Sequence, residues 1–103
     1  MIPEESKKLF LTKYSTVGSE EFYQFLLDYA HNRLAIGKSS KVPSPEIELM
    51  EYYNKFLVLY RKERDESYLD IAKLFRKAGH SIYRLMLKKG IIERNNRFLN
   101  LVS

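Results

Sequence analysis

The chain has 103 residues, no cysteine, two histidines and a formal net charge of +5. With 45% apolar and 30% charged residues, it has the balance of one globular domain around a single core and not that of a disordered chain. Lack of cysteine excludes disulfide staples and thiolate metal sites. The opening MIPEESKKLFLTKY carries no apolar signal segment, and no window reaches the roughly 18 apolar residues of a membrane span. A cytoplasmic protein with no membrane partner is expected.

Charge is divided unevenly along the chain. Residues 1–66 hold ten Lys and Arg against eleven Asp and Glu, a balance of −1, whereas residues 67–103 hold eight against two, a balance of +6. A surface built from that last third would suit a polyanion, because neutralising phosphates releases their counterions. The alternative is a solvated helix face whose partners lie on the acidic 45–66 segment.

Taken in order, Pro3–Lys13 reads as a short helix with Glu4 and Lys8 in the favourable i,i+4 order and Leu9 and Phe10 turned inward. A strand over Leu9–Lys13 is the other reading of the same alternation. Thr16-Val17-Gly18-Ser19 breaks the pattern. Ser19 then caps a helix to about Leu34, with Glu20 and Glu21 in its first turn. Phe22, Phe25, Leu26, Tyr29, Ala30 and Leu34 share its buried face, while Glu21, Asp28 and Arg33 face out. His31 lies beside that face, and the other histidine is 49 positions away, which argues against a metal pair.

Ala35–Pro43 is a linker. Its Gly37-Lys38-Ser39 imitates the end of a phosphate-binding loop, but Asn32 stands where the first glycine belongs and a helix precedes it instead of a strand. Ser44, Pro45, Glu46 and Glu48 give the clearest helix start in the chain. Ile47, Met50, Tyr53, Phe56, Leu57 and Tyr60 form that helix's core stripe up to the charged RKERDE run at 61–66. The acids Glu46, Glu48 and Glu51 read as first-turn and exposed charges.

Ser67 and Asp70 have capping-box spacing, and Gly90 follows Lys88 and Lys89 as a C-cap. Between them Tyr68, Ile71, Phe75, Ala78, Ile82 and Leu85 line one helical face, with Lys73, Lys77, His80, Arg84 and Lys88 nearly opposite. Gly79 admits two readings: a turn between two helices, or one residue of a continuous helix 67–89. Beyond Gly90 the residues become β-branched and alternating. Asn95-Asn96 there suits a two-residue turn that would pair Arg94 with Arg97 and Ile92 with Leu99.

Helix, turn, second helix, glycine and a hairpin with arginines at its tip resemble the winged helix-turn-helix superfamily of DNA-binding domains over about residues 45–102. The resemblance rests on Ile71-Ala72, Phe75, Ile82 ten residues after Ala72, Leu85, the exposed Arg84, and Gly90-Ile91-Ile92 leading into the wing. It implies that His80, Ser81, Arg84 and Lys88 lie on or near a recognition helix, with Arg84 the best candidate for base contact. It also implies that Lys73 and Lys77 hold phosphates and that Arg94 and Arg97 reach the backbone or minor groove from the wing.

The expected fold is therefore mainly α, a compact bundle of three to four helices with a C-terminal two-stranded β-hairpin, winged-helix-like. The alternative is an antiparallel helical bundle with one continuous helix 67–89. Residues 1–40 would form a helical extension and 44–102 the core of one domain. The expected partner is duplex DNA. A homodimer is one form that such a DNA-binding protein could take, and a helical interaction module whose basic face meets an acidic protein stands against the DNA reading. No GxSxG, HExxH or glycine-rich phosphate loop occurs, so no enzyme and no cofactor is expected.

Overall fold

The computed structural model describes residues 4–36 and 44–90, leaving aside the side chains of Ala35 and Ile36. Among these residues the chain forms three helices, α1 (Glu4–Ile36), α2 (Pro45–Glu63) and α3 (Glu66–Lys88). No strand occurs among them. Helices α2 and α3 form the main packed pair. They run antiparallel: Met50 faces Gly79 and Phe56 stacks on Phe75, with ring centroids 5.7 Å apart.

The turn between them is short because both of its ends are capped. Arg64 takes φ 58° and its N–H bonds to the Tyr60 carbonyl, closing α2. The Asp65 carboxylate accepts from the Ser67 N–H at 2.9 Å, opening α3. The cap is thus Asp65, two residues before the expected Ser67. Asp70, expected to complete a capping box, instead accepts from the Tyr14 hydroxyl at 3.1 Å.

Helix α1 is a pair of helical segments meeting at Gly18, whose φ 82° and ψ −177° are non-helical. The break expected at residues 16–19 is therefore concentrated in one residue, and the strand reading of residues 9–13 is excluded by helix. Rings show how sharp the corner is. Twelve residues of straight helix would span about 18 Å, whereas the Phe10 and Phe22 centroids are 6.4 Å apart. Segment 4–17 lies across α2 and α3, bringing Phe10 against Tyr52, Phe56 and Phe75. Segment 19–36 runs alongside α3, from the Phe22–Phe75 contact towards the start of α2, where Arg33 pairs with Glu48.

The core follows from these crossings. Phe22, Leu26, Ala30, Leu49, Phe56, Tyr68, Ile71, Ala72, Phe75, Ala78, Ile82 and Met86 form one buried cluster, and most had been legible as periodic apolar positions. Edge-to-face and stacked rings fill its middle, an arrangement worth about 0.5–1.5 kcal/mol per pair beyond burial.

Three further expectations are corrected. The turn at Gly79 and with it the winged helix-turn-helix architecture are overturned, because α3 is helical throughout and Gly79 is buried inside it. The cause is α2: its Leu49 and Met50 pack so closely on Gly79 that the small residue serves a helix crossing and not a turn. The hairpin expected over 91–102 lies outside the described residues. Secondly, Glu46 is not a solvated first-turn charge. It shares the helical face of Leu49, Met50 and Tyr53 and is 0% exposed. Thirdly, Arg33 and Glu48 do not simply face solvent. They pair with each other, and the Tyr29 hydroxyl also donates to Glu48.

Candidate nucleic-acid interface

Helix α3 owes its two faces to its residue spacing. At 3.6 residues per turn, Tyr68, Ile71, Ala72, Phe75, Ala78, Gly79, Ile82, Tyr83 and Met86 fall on one side and are buried. Lys73, Arg76, Lys77, Arg84 and Lys88 fall within an arc of about 120° on the other side, and all five are exposed. From residue 71 to residue 90 there are six Lys and Arg and no Asp or Glu. The two acids of α3, Glu66 and Asp70, lie near its N-terminus, where they complement the helix dipole.

Five of the six acids of the 44–66 segment, all but Glu51, are accounted for elsewhere among the described residues. Glu48 is paired with Arg33 and Tyr29, Glu63 with Lys7, and Asp65 with the backbone of α3. Glu66 accepts from Tyr60 at 3.4 Å, and Glu46 is buried. Among the described residues no ion pair joins a carboxylate to Lys73, Arg76, Lys77, Arg84 or Lys88. The cations therefore keep their charge for solvent or for a partner.

The expected site residues do not all behave alike. Lys73, Lys77, Arg84 and Lys88 form the exposed stripe. Lys77 is also steered from α1, because its Nζ sits 4.4 Å from the centroid of the Tyr23 ring. Ser81 is turned inward and shares a 2.9 Å hydrogen bond with the Tyr23 hydroxyl. His80 is half-buried, and its Nε2 is closed to water. Burial pushes its pKa below 6.5, and the neighbouring Arg76 and Arg84 push it the same way. The ring is accordingly neutral at pH 7, and the centre of the stripe carries no charge. Arg94 and Arg97 lie outside the described residues.

Arg76 was missed by the sequence reading. It lies between Lys73 and Lys77 in sequence, and its helical phase places it only about 60° from Lys73. With it, the N-terminal half of the stripe becomes a cluster of three cations, Lys73, Arg76 and Lys77.

Elsewhere the surface offers less chemistry. An open groove of about 300 Å³ lies along α1, lined by Lys13, Val17, Glu21, Gln24, Phe25 and Asp28. No group of three or more His, Cys, Asp or Glu that could hold a metal occurs among the described residues. Among the same residues no helix is long and apolar enough to cross a membrane.

No model of a known protein family matches this chain, and neither a curated protein nor a solved structure does so.

Proposed function

We propose that this protein binds nucleic acid through the exposed basic face of α3, by charge contacts to backbone phosphates and without reading base sequence. The observation that carries the reading is the one-sign run of residues 71–90, whose exposed cations have no carboxylate partner among the described residues. A solvated structural helix ordinarily interleaves opposite charges at i,i+4, and this face does not. A continuous helix with a neutral centre and flexible cations at its ends suits phosphate contact better than base readout.

Salt titration of binding to random-sequence duplex tests it. Each neutralised phosphate contributes about −0.9 to the slope of log K against log salt, so five cations predict a slope between about −3 and −4.5. Arg84→Ala with Lys88→Ala should flatten the slope by about 2 while leaving the fold intact. Lys7→Ala with Lys8→Ala should change little. Absence of binding at low salt, or equal losses from the two pairs, would overturn the reading. Tighter, salt-sensitive binding of an acidic polypeptide would favour a protein partner for the same face.

A further inference from the structure

The cations of α3 are not evenly spread. Lys73, Arg76 and Lys77 form one exposed group, and Arg84 and Lys88 form a second. Between them Ala78, Gly79, Ile82 and Tyr83 are buried against the other helices, Ser81 is bonded to Tyr23, and His80 is half-buried and neutral at pH 7. The neutral interval is more than a full turn of helix. Taking 1.5 Å of rise per residue, the two group centres lie about 16 Å apart along a straight axis.

We infer that the two cation groups grip the two phosphate rows bordering the major groove of B-form duplex DNA, with the neutral middle of α3 lying over the groove. The inference rests on the nucleic-acid reading above and names its partner. The B-form major groove is about 12 Å wide and admits an α-helix. Its bordering phosphates stand somewhat farther apart than that opening, which matches two groups about 16 Å apart on one helix. Lysine and arginine side chains reaching outward from each group supply the remaining adjustment.

Helix α3 has the shape for this task. Its fully buried residues occupy one side only, so the cations of the opposite side are exposed, with Lys77 touching the Tyr23 ring of α1 and His80 half-buried between the two groups. Tyr23 holds Lys77 from below through its ring and Ser81 through its hydroxyl, which fixes the inner edge of the first group. A-form RNA duplex offers a major groove too deep and narrow for a helix. A single strand offers only one row of phosphates. Both would engage one group at a time.

The test uses the full chain and three probes at one salt concentration: a 20-base-pair DNA duplex, an RNA duplex of the same sequence, and the single DNA strand. Fluorescence anisotropy should give at least about fivefold tighter binding to the DNA duplex than to either competitor. A second arm moves one charge without changing the number of charges. Arg84→Ala should weaken duplex DNA binding about fivefold. Adding His80→Lys restores the count but places the cation inside the neutral interval, so affinity should stay within about twofold of Arg84→Ala alone.

Recovery of wild-type affinity by His80→Lys, or equal affinity for all three probes, would overturn the two-row grip while leaving the nucleic-acid reading standing. Failure to bind any of the three at low salt would remove both. Circular dichroism checks that the variants fold, and the comparison of probes on the unaltered protein decides the question even if one variant does not.

Discussion

Met50 and Gly79 meet so closely at the α2–α3 crossing that a Cβ on Gly79 would stand 2.8 Å from the Met50 Sδ and 3.3 Å from its Cγ. Two opposed effects then decide what Gly79→Ala does. Alanine gains about 1 kcal/mol of helix propensity, while overpacking a tight core costs about 1–3 kcal/mol. Met50 is fully buried, so its thioether has little room to yield, and the packing cost should win by about 1 kcal/mol. In a Met50→Ala background the same glycine change should become stabilising. Urea unfolding of the four proteins in this cycle checks the sign reversal, and a stabilising Gly79→Ala in the native background would contradict it.

Glu46 offers stability to any substitution that removes its charge and keeps its bulk. Its two carboxylate oxygens are buried and have no hydrogen-bond partner among the described residues. Such a group costs about 1–3 kcal/mol, against which the positive end of α2 returns at most about 1 kcal/mol. Glu46→Met should therefore raise stability by about 1 kcal/mol, read as a higher urea midpoint at unchanged slope. A lower midpoint would show that the carboxylate has a favourable role.

His80 should make stability fall in mild acid. Its folded pKa lies below 6.5 because of burial and then of Arg76 and Arg84, so the unfolded chain takes up the proton first. The contribution is complete above about pH 6.5 and is lost as pH falls from there through the lower folded value. Thermal melts between pH 7.5 and pH 5 should show this loss, and His80→Gln should flatten it. An identical pH profile for the variant would place the acid sensitivity elsewhere.

Ser81 and Arg76 should exchange the roles that a reading of the stripe would give them. Ser81→Ala breaks the 2.9 Å bond to Tyr23 and should cost about 0.5–1.5 kcal/mol of stability with duplex affinity changed less than about twofold. Arg76→Ala leaves the core untouched and should lower affinity about as far as Lys73→Ala does. The two readouts come from one melt and one binding titration per variant, and a Ser81→Ala effect on affinity larger than that of Arg76→Ala would reverse the assignment.

Local signals in the sequence marked most helix edges well. Ser44 with Pro45 opens α2, and Gly90, at φ 72°, follows the end of α3. Periodicity likewise identified most of the buried positions, but Leu9, expected to turn inward with Phe10, is 59% exposed. What periodicity lacked was information carried between helices. Gly79 is read correctly only beside Met50, 29 positions away, because the same residue suits a turn or a close crossing.

Glu46 was misassigned because an acid near a helix start is usually solvated. The contrary signal was present in its phase, since 46, 50, 53, 57 and 60 step by four and three. On the exposed face of α3, the positions of Lys73, Lys77, Arg84 and Lys88 were evident from spacing alone. Ser81's inward turn was not, because it depends on Tyr23 of α1.

Gly18 differs from Gly79 in a way that chirality exposes. At Gly79 the backbone is helical and space is short, whereas at Gly18 nothing lies within 4 Å of an added Cβ and only φ 82° with ψ −177° is at issue. Reflected in a mirror, those angles are ordinary extended backbone. An L-alanine there should cost about 1–3 kcal/mol through backbone strain alone, while D-alanine installed by chemical synthesis should be accepted without strain and should stabilise the corner by restricting the unfolded chain. The corner of α1 is thus a site where the protein would accept an amino acid of the opposite hand, and where the aromatic core beneath it, from Phe10 to Phe22, depends on a residue that has no hand at all.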